Sequence, residues 1–204
     1  LLYPLYTLLF ARTGLSTGQI SSLFVLWSLA TFTLEVPAGA WADAVSRRLL
    51  LCLGPLLGAL GFGLWVAAPS YPVFALGFVL WGAKSALVSG ALEALVYEEL
   101  AHDGAEESFA RVWGRAQAVG VVAVLVAIVL ASPVVALGGY AAVGAASVAA
   151  GVAGAGVALA FPERRGDAGD ADGDERDPGY LSTIRTGWAL VRGDARVRRA
   201  VLLV

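Results

Sequence analysis

Two ionisable residues, Glu35 and Lys84, stand within long apolar runs of the sequence. A charge inside a membrane span costs free energy, so such residues are functional candidates by default. A carboxylate and an ammonium there could pair with each other, carry a proton or contact a charged solute. Glu35 lies about 12 Å before the end of its run and Lys84 about 18 Å after Pro72. The two distances are measured from opposite faces of a hydrocarbon core about 30 Å thick, so they give nearly the same depth. We therefore expect the two side chains to meet, directly or through a polar neighbour.

A third charge, Glu93, belongs to the same run as Lys84 and lies about 31 Å from Pro72. The nine positions between Lys84 and Glu93 put them on nearly opposite faces of a helix. They are therefore not expected to line one cavity together. Glu93 or Glu98 is instead expected to meet Arg47 or Arg48.

A compact charged stretch, GAWADAVSRR, follows the run that contains Glu35. It begins at Gly39, places Asp43 four residues later and ends on Arg47 and Arg48. Charges at a membrane interface cost little, and they gain by pairing with each other or with a helix end. The stretch predicts a short turn between two membrane-spanning helices.

The composition requires that lipid surround most of the chain. Hydrophobic residues make up 58% of the 204 residues, charged residues only 15%, and the mean hydropathy is +0.76. A soluble domain has roughly 45–50% apolar and about 25% charged residues. The net charge of -2 gives no support for nucleic-acid binding.

Residues for catalysis or metal binding are sparse. Cys52 and His102 are single, so no zinc cluster can be assembled, and the acidic stretch DADGDE lacks the glycine and glutamate of a calcium loop. Neither a phosphate-binding loop nor a Ser/His/Asp set is present. We therefore expect no enzyme activity, no metal and no cofactor.

Apolar runs of about 20 residues predict membrane-spanning helices. The predicted spans are the tail of a first one over Leu1–Ala11, then Ile20–Ala42, Leu49–Ala68, Val73–Tyr97, and two within Ala116–Phe161 that are separated near Ser132-Pro133 and Gly138-Gly139. Small residues at fourfold spacing favour close helix contacts. They occur at Gly54 and Gly58 of the third span and form a ladder at Gly82, Ala86, Gly90 and Ala94 of the fourth.

Arginine is distributed unevenly between the predicted turns, which indicates orientation through the positive-inside rule. The turns after spans one, three and five contain only Arg12. The turns after spans two, four and six contain Arg47, Arg48, Arg111, Arg115, Arg164, Arg165, Arg176, Arg185, Arg192, Arg196, Arg198 and Arg199. We expect the second group, and the N-terminus, to be cytoplasmic.

The domain prediction has three parts. Residues 1–161 form a transmembrane bundle whose first span is truncated, and residues 162–199 form a cytoplasmic linker. A surface-lying amphipathic helix is expected at about 180–192, where Leu181, Ile184 and Trp188 recur at helical spacing. Residues 200–204 read as the start of a seventh span.

The charged turn resembles motif A of the major facilitator superfamily, which reads roughly G-x-L-A-D-R/K-x-G-R/K-R/K between spans two and three. The matching positions are Gly39, Ala42, Asp43, Arg47 and Arg48, whereas Trp41, Ala44 and Ser46 depart from the pattern. The fourth span is similar, more weakly, to motif B of that family, with Lys84 in the place of its arginine and Gly90 in the place of its last glycine. The resemblance covers the whole chain.

This resemblance implies an all-α membrane protein whose six-span bundle is the N-terminal half of a transporter of the major facilitator type. It implies that Gly39, Asp43, Arg47 and Arg48 form a latch between the two halves on the cytoplasmic side. Spans one and four would face the solute path, with Trp81, Lys84 and Ser85 as the best substrate-side candidates. Tyr3 and Tyr6 are weaker ones.

The implied function is secondary active transport of a small solute by alternating access in the cell (plasma) membrane. Proton-coupled efflux of small organic compounds is the leading hypothesis. The family's antiporters carry a Gly-Pro pair in span five, however, and here Gly120 stands alone. Proton-coupled uptake of a nutrient or metabolite therefore stays an alternative, as does a non-transporting membrane scaffold. The expected partners are the lipid bilayer, the solute and protons.

Overall fold

The computed structural model describes residues 2–44 and 46–161 of the chain. These residues form α-helices joined by short turns and contain no β-strand. The helices are α1 (Tyr6–Arg12), α2 (Thr17–Ala44), α3 (Arg47–Ala67), α4 (Tyr71–His102) and α5 (Phe109–Ala158), with a 3-10 turn at Glu106–Ser108.

Local residue chemistry sets several helix ends. Ser46 caps α3, because its hydroxyl oxygen accepts a hydrogen bond from the backbone N–H of Leu49 at 3.2 Å. Pro72 stands in the first turn of α4, where its missing N–H costs nothing. Gly104 has a φ of 65°, a conformation that glycine adopts readily. This conformation stops α4 and turns the chain towards α5.

The α5 helix contains a break at Gly138 and Gly139. Gly138 has φ -152° and ψ 19°, and Gly139 has φ 62° and ψ -159°. The second conformation is essentially restricted to glycine. Of the two breaks that the sequence offers, the structure uses this one, while Pro133 stays inside the helix.

Helix α4 lies between α2 and α3, and α3 in turn packs against the part of α5 that follows the break. Small residues allow these close approaches. A methyl group on Gly82 would lie 2.8 Å from Cβ of Ala30 in α2, and one on Gly61 would lie 3.2 Å from the carbonyl oxygen of Gly77. On the far side of α3, a methyl group on Gly151 would lie 2.9 Å from the carbonyl oxygen of Pro55.

The small-residue ladder of α4 packs over only part of its length. Gly82 and Ala86 are buried, as predicted. Gly90 is exposed, and a methyl group there would meet no atom within 4 Å. Contrary to the expectation, Gly90 therefore makes no close helix contact within the described residues.

The helix ends gather at two levels. We call the first level the Arg12 end. There the guanidinium of Arg12 lies 5.5 Å from the ring centre of Tyr140, and the hydroxyl oxygens of Ser22 and Tyr71 are 2.9 Å apart. At the other, the Arg47 end, Arg47 of α3 forms an ion pair with Glu98 of α4. The predicted alternation of turns between two sides thus agrees with the packing.

Four helical stretches are long and apolar enough to cross a membrane: Thr17–Glu35, Arg47–Ala67, Tyr71–His102 and Glu106–Ala158. The last contains the Gly138–Gly139 break. The predicted fourth span ends at Tyr97 and the fifth starts at Ala116, but the connection between the helices is shorter, since α4 continues to His102 and α5 starts at Phe109. Polar residues end an apolar run, but they do not end a helix that continues into water.

The predicted linker over 162–199, its amphipathic helix at 180–192 and the start of a seventh span at 200–204 lie outside the described residues.

Candidate functional site

The Arg47 end has a charged pair at its surface. Arg47 opens α3, and its guanidinium pairs with the Glu98 carboxylate near the end of α4. This is one of the pairings that the sequence predicts. A helix N-terminus carries partial positive charge, which disfavours an arginine there, and the nearby carboxylate offsets this cost.

The packing beneath this pair fixes the distance between the two helices. Leu50 and Leu51 of α3 are buried with Ala91 and Leu95 of α4 in one apolar cluster. Arg47 lies one turn before Leu50, and Glu98 lies one turn after Leu95. The ion pair therefore closes the end of an apolar contact that already holds α3 against α4.

The other residues of the predicted latch belong to the last turns of α2. Gly39 is exposed, and a methyl group on it would meet no atom within 4 Å. Asp43 lies in α2 as well, but its side chain lies outside the described part of the structure. The pairing of Asp43 with arginine therefore stays a prediction.

We expect the Arg47–Glu98 pair to contribute little to stability on its own. The Glu98 side chain is 54% exposed, and exposed pairs are worth about 0.2–1 kcal/mol. A double-mutant cycle with Arg47→Gln and Glu98→Gln, read as the free energy of unfolding in detergent, should give a coupling energy in that range that falls with added salt. Glu107→Gln in the 3-10 turn is the control and should show no coupling with Arg47→Gln. A coupling above about 2 kcal/mol would contradict a surface pair.

Lys84 is half-buried in the middle of α4, and its stem packs on α3. A methyl group on Gly58 would lie 3.0 Å from Cδ and 3.8 Å from Nζ of Lys84. The absence of a side chain at Gly58 thus provides the space that this lysine occupies. Within the described residues, no carboxylate forms an ion pair with its ammonium.

The expected pair between Glu35 and Lys84 is not formed, and the reason is helical phase. Gly82 faces α2, and two further residues turn the helix by about 200°, so Lys84 faces α3 instead. Glu35 belongs to α2 and is exposed. The two charges lie on different sides of α4 although their depths are similar.

Lys84 is also the single lysine of the sequence, beside thirteen arginines. The two cations differ chemically, because an ammonium gives up its proton far more readily when it is buried, whereas a guanidinium stays charged. This contrast identifies Lys84 as a candidate functional residue from the sequence, independently of its apolar neighbours.

Aromatic rings fill the bundle between Lys84 and the Arg12 end. Trp81, one turn before Lys84, contacts Tyr3 at 5.7 Å and Tyr6 at 5.8 Å between ring centres. The structure thus brings the candidates of the first and fourth spans together. The rings in mutual contact are Tyr3, Tyr6, Phe10, Phe24, Trp27, Phe62, Trp65, Phe74, Phe78 and Trp81.

Ser85, the third substrate-side candidate, is half-buried and donates a hydrogen bond from its hydroxyl to the carbonyl oxygen of Trp81 at 3.1 Å. Two further features of this region were not predicted from the sequence. The size of the aromatic cluster was not predicted, and the buried indole N–H of Trp27 finds no acceptor among the described residues. Aromatic residues at helical spacing on several helices were the available signal.

Glu93 is exposed near the Arg47 end and lines an open pocket with Tyr97 and Phe109. The described residues include no ion pair between Glu93 and Arg47 or Arg48. Of the two partners that the sequence offers for Arg47, the structure uses Glu98.

No described group of histidine, cysteine and acidic residues could hold a metal ion. A lysine in the middle of a membrane-length helix, next to an aromatic cluster, is a group that can contact a solute.

Comparison with known proteins identifies the family. The family model of the Major Facilitator Superfamily matches residues 1–204, the entire chain. No curated protein and no solved structure gives a significant match. Together with the apolar, membrane-length helices and the charged turn between α2 and α3, this match shows that the chain belongs to the major facilitator superfamily of secondary transporters.

Proposed function

We propose that the chain is the N-terminal half of a plasma-membrane transporter that exports small organic solutes in exchange for protons. The observation that carries the proposal is the position of Lys84. Its ammonium lies half-buried in a membrane-spanning helix, one turn from Trp81, without a carboxylate partner among the described residues. An intramembrane charge of this kind marks a solute or proton path.

The proposal includes six spans. Helix α5 has 50 residues, about 75 Å in length, which is more than twice the roughly 30 Å of a hydrocarbon core. The Gly138–Gly139 break supports division into a fifth and a sixth span. With the tail of the first span at α1, the chain would then cross the membrane as half of a twelve-span protein, and alternating access would move one half against the other.

The proposed orientation places the Arg47 end in the cytoplasm. Among the described residues, the Arg12 end has one arginine, whereas the first two turns of α3 and α5 contain Arg47, Arg48, Arg111 and Arg115. The positive-inside rule supports this orientation. In this orientation, the N-terminus and the 162–199 linker would also be cytoplasmic.

The proposed roles of the site residues follow from this arrangement. Lys84 and Ser85 would contact the solute or a coupled proton, and Trp81 would form an apolar wall with Tyr3 and Tyr6. Gly39, Asp43, Arg47 and Arg48 would latch the two halves on the cytoplasmic side. Glu35, exposed on α2, would face either the path or the second half.

Proton flux tests the proposal directly. Full-length protein would be reconstituted into vesicles that contain a pH-sensitive dye, and Hoechst 33342 would serve as the first solute. If the protein exchanges solute for protons, an imposed proton gradient should drive Hoechst 33342 across the membrane against the direction of proton flow. An uncoupler should abolish this movement of Hoechst 33342. Movement of solute and protons in the same direction would instead indicate symport.

Uptake is the second candidate, and one observation favours it. The fifth span has Gly120 without a following proline, so it lacks the Gly-Pro pair of the family's antiporters. The same vesicle experiment separates the two, because the sign of the coupled proton movement differs. An intact, reconstituted protein that moves none of a broad panel of anionic, neutral and cationic solutes would favour a scaffold.

A further inference from the structure

A pocket opens between the last turns of α4 and the first turn of α5, away from Lys84. Its volume is about 420 Å³, and Gly90, Glu93, Ala94, Tyr97 and Phe109 line it. Ligand pockets in proteins have volumes of roughly 300–1,000 Å³. The space exists because Gly90 and Ala94 present almost no side chain to it.

Aromatic rings form one wall of this pocket. The ring centres of Tyr97 and Phe109 are 5.7 Å apart in an edge-to-face arrangement. Trp113 lies behind Phe109, with ring centres 6.1 Å apart and planes inclined by 10°. The faces of aromatic rings are electron-rich and attract cations.

The Glu93 carboxylate supplies the negative charge of the pocket. Among the described residues, neither lysine nor arginine forms an ion pair with it, and no described cationic side chain stacks on these rings. The pocket therefore combines a carboxylate and aromatic faces without a cation of its own. This is the combination that recognises quaternary ammonium and related organic cations.

The depth of the pocket fits a ligand that is both apolar and charged. Glu93 lies 22 residues after Tyr71, about 33 Å along α4, so it stands at the boundary between hydrocarbon and water. Lipophilic cations accumulate at this level, where their apolar groups leave water and their charge stays hydrated.

We propose that this pocket binds an organic cation, with Glu93 as the counter-charge and the rings of Tyr97 and Phe109 as the contact surface. The site goes beyond the proposed function, because it concerns binding at the Arg47 end and does not depend on the direction of transport. The cation could be a free organic molecule or the trimethylammonium group of a choline lipid.

Binding to two ions of nearly equal shape and opposite charge tests the proposal. Full-length protein in phosphatidylglycerol nanodiscs would be titrated with tetraphenylphosphonium and with tetraphenylborate, and binding to empty nanodiscs would be subtracted. We expect specific binding of the cation only. Glu93→Gln should weaken cation binding about fivefold, and Phe109→Leu about two- to fivefold.

Matched controls separate the pocket from general surface effects. Glu106→Gln removes an exposed carboxylate in the 3-10 turn, and Phe32→Leu removes a ring that is 76% exposed on α2. Neither should change the affinity. Gly90→Leu should abolish binding without unfolding the protein, because a side chain there would extend into open space.

The lipid composition distinguishes the two sources of the cation. Phosphatidylcholine lacks the negative surface potential of phosphatidylglycerol, so it lowers the local concentration of tetraphenylphosphonium for every variant. If the ligand is a free cation, the change of lipid should therefore reduce binding to wild type and to Glu93→Gln by the same factor. If a choline headgroup occupies the pocket, the reduction should be larger for wild type than for Glu93→Gln. Equal binding of cation and anion, or equal losses in Glu93→Gln and Glu106→Gln, would overturn the proposal.

Discussion

The substitution Gly77→Ala is expected to lower the free energy of unfolding by about 2–4 kcal/mol. Gly77 faces the indole ring of Trp65, and an added methyl group would overlap Nε1 of that ring. Trp65 is 0% exposed, and its N–H donates to the carbonyl oxygen of Phe74 at 3.1 Å. The ring cannot move outward without loss of this hydrogen bond and of its contacts with neighbouring rings.

The same substitution at Gly90 gives the matched control. Gly77 and Gly90 belong to one helix, but a methyl group on Gly90 meets no atom within 4 Å. Alanine there should stabilise the helix by about 0.5–1 kcal/mol. Thermal unfolding of both variants in the same detergent would show opposite shifts, and equal shifts would contradict the close contact between α3 and α4 at Gly77.

The substitution Lys84→Met is expected to abolish transport and, at the same time, to stabilise the folded protein. A lysine at the centre of a membrane helix costs about 2.5–3.5 kcal/mol, and no ion pair with a described residue is lost on its removal. Methionine retains the apolar stem that packs at Gly58. We therefore expect an increase of about 1–3 kcal/mol in the free energy of unfolding, because part of the cost is relieved by water in the solute path.

Transport and unfolding should be measured on the same preparation of Lys84→Met. Lys84→Arg, which keeps the charge but enlarges the head group beside Gly58, should retain part of the flux if charge is what matters. Glu35→Gln provides a second intramembrane change. Unchanged flux in Lys84→Met would contradict the role of this residue, and a loss of stability would show that the ammonium has a structural partner.

Much of the helical architecture could be predicted from the sequence, because the positions of apolar runs follow from the thickness of the bilayer. The runs that contain Glu35 and Lys84 became α2 and α4, and the turn before Arg47 lies where the charges indicated. The ends of α4 were less predictable. Hydropathy reports where lipid ends, whereas α4 ends at His102, five residues later than expected, just before the positive φ of Gly104.

The residues of the candidate site could be named from the sequence, but their contacts could not. Lys84 stood out by charge alone, yet its contact with Gly58 depends on the rotation of α4 about its own axis. A single sequence does not fix that rotation, because small residues occur on several faces of the helix. For the same reason Gly90, identical in type to Gly82, lines an open pocket instead of a helix contact.

The unequal lengths of α3 and α4 make the protein sensitive to acyl-chain length. Helix α3 has 21 residues and α4 has 32, about 32 Å and 48 Å respectively. A bilayer that matches α3 leaves the last third of α4 in the headgroup layer and beyond. Thicker membranes would draw Glu93 towards hydrocarbon unless α4 tilts, so hydrophobic mismatch would be felt first at the Arg47 end.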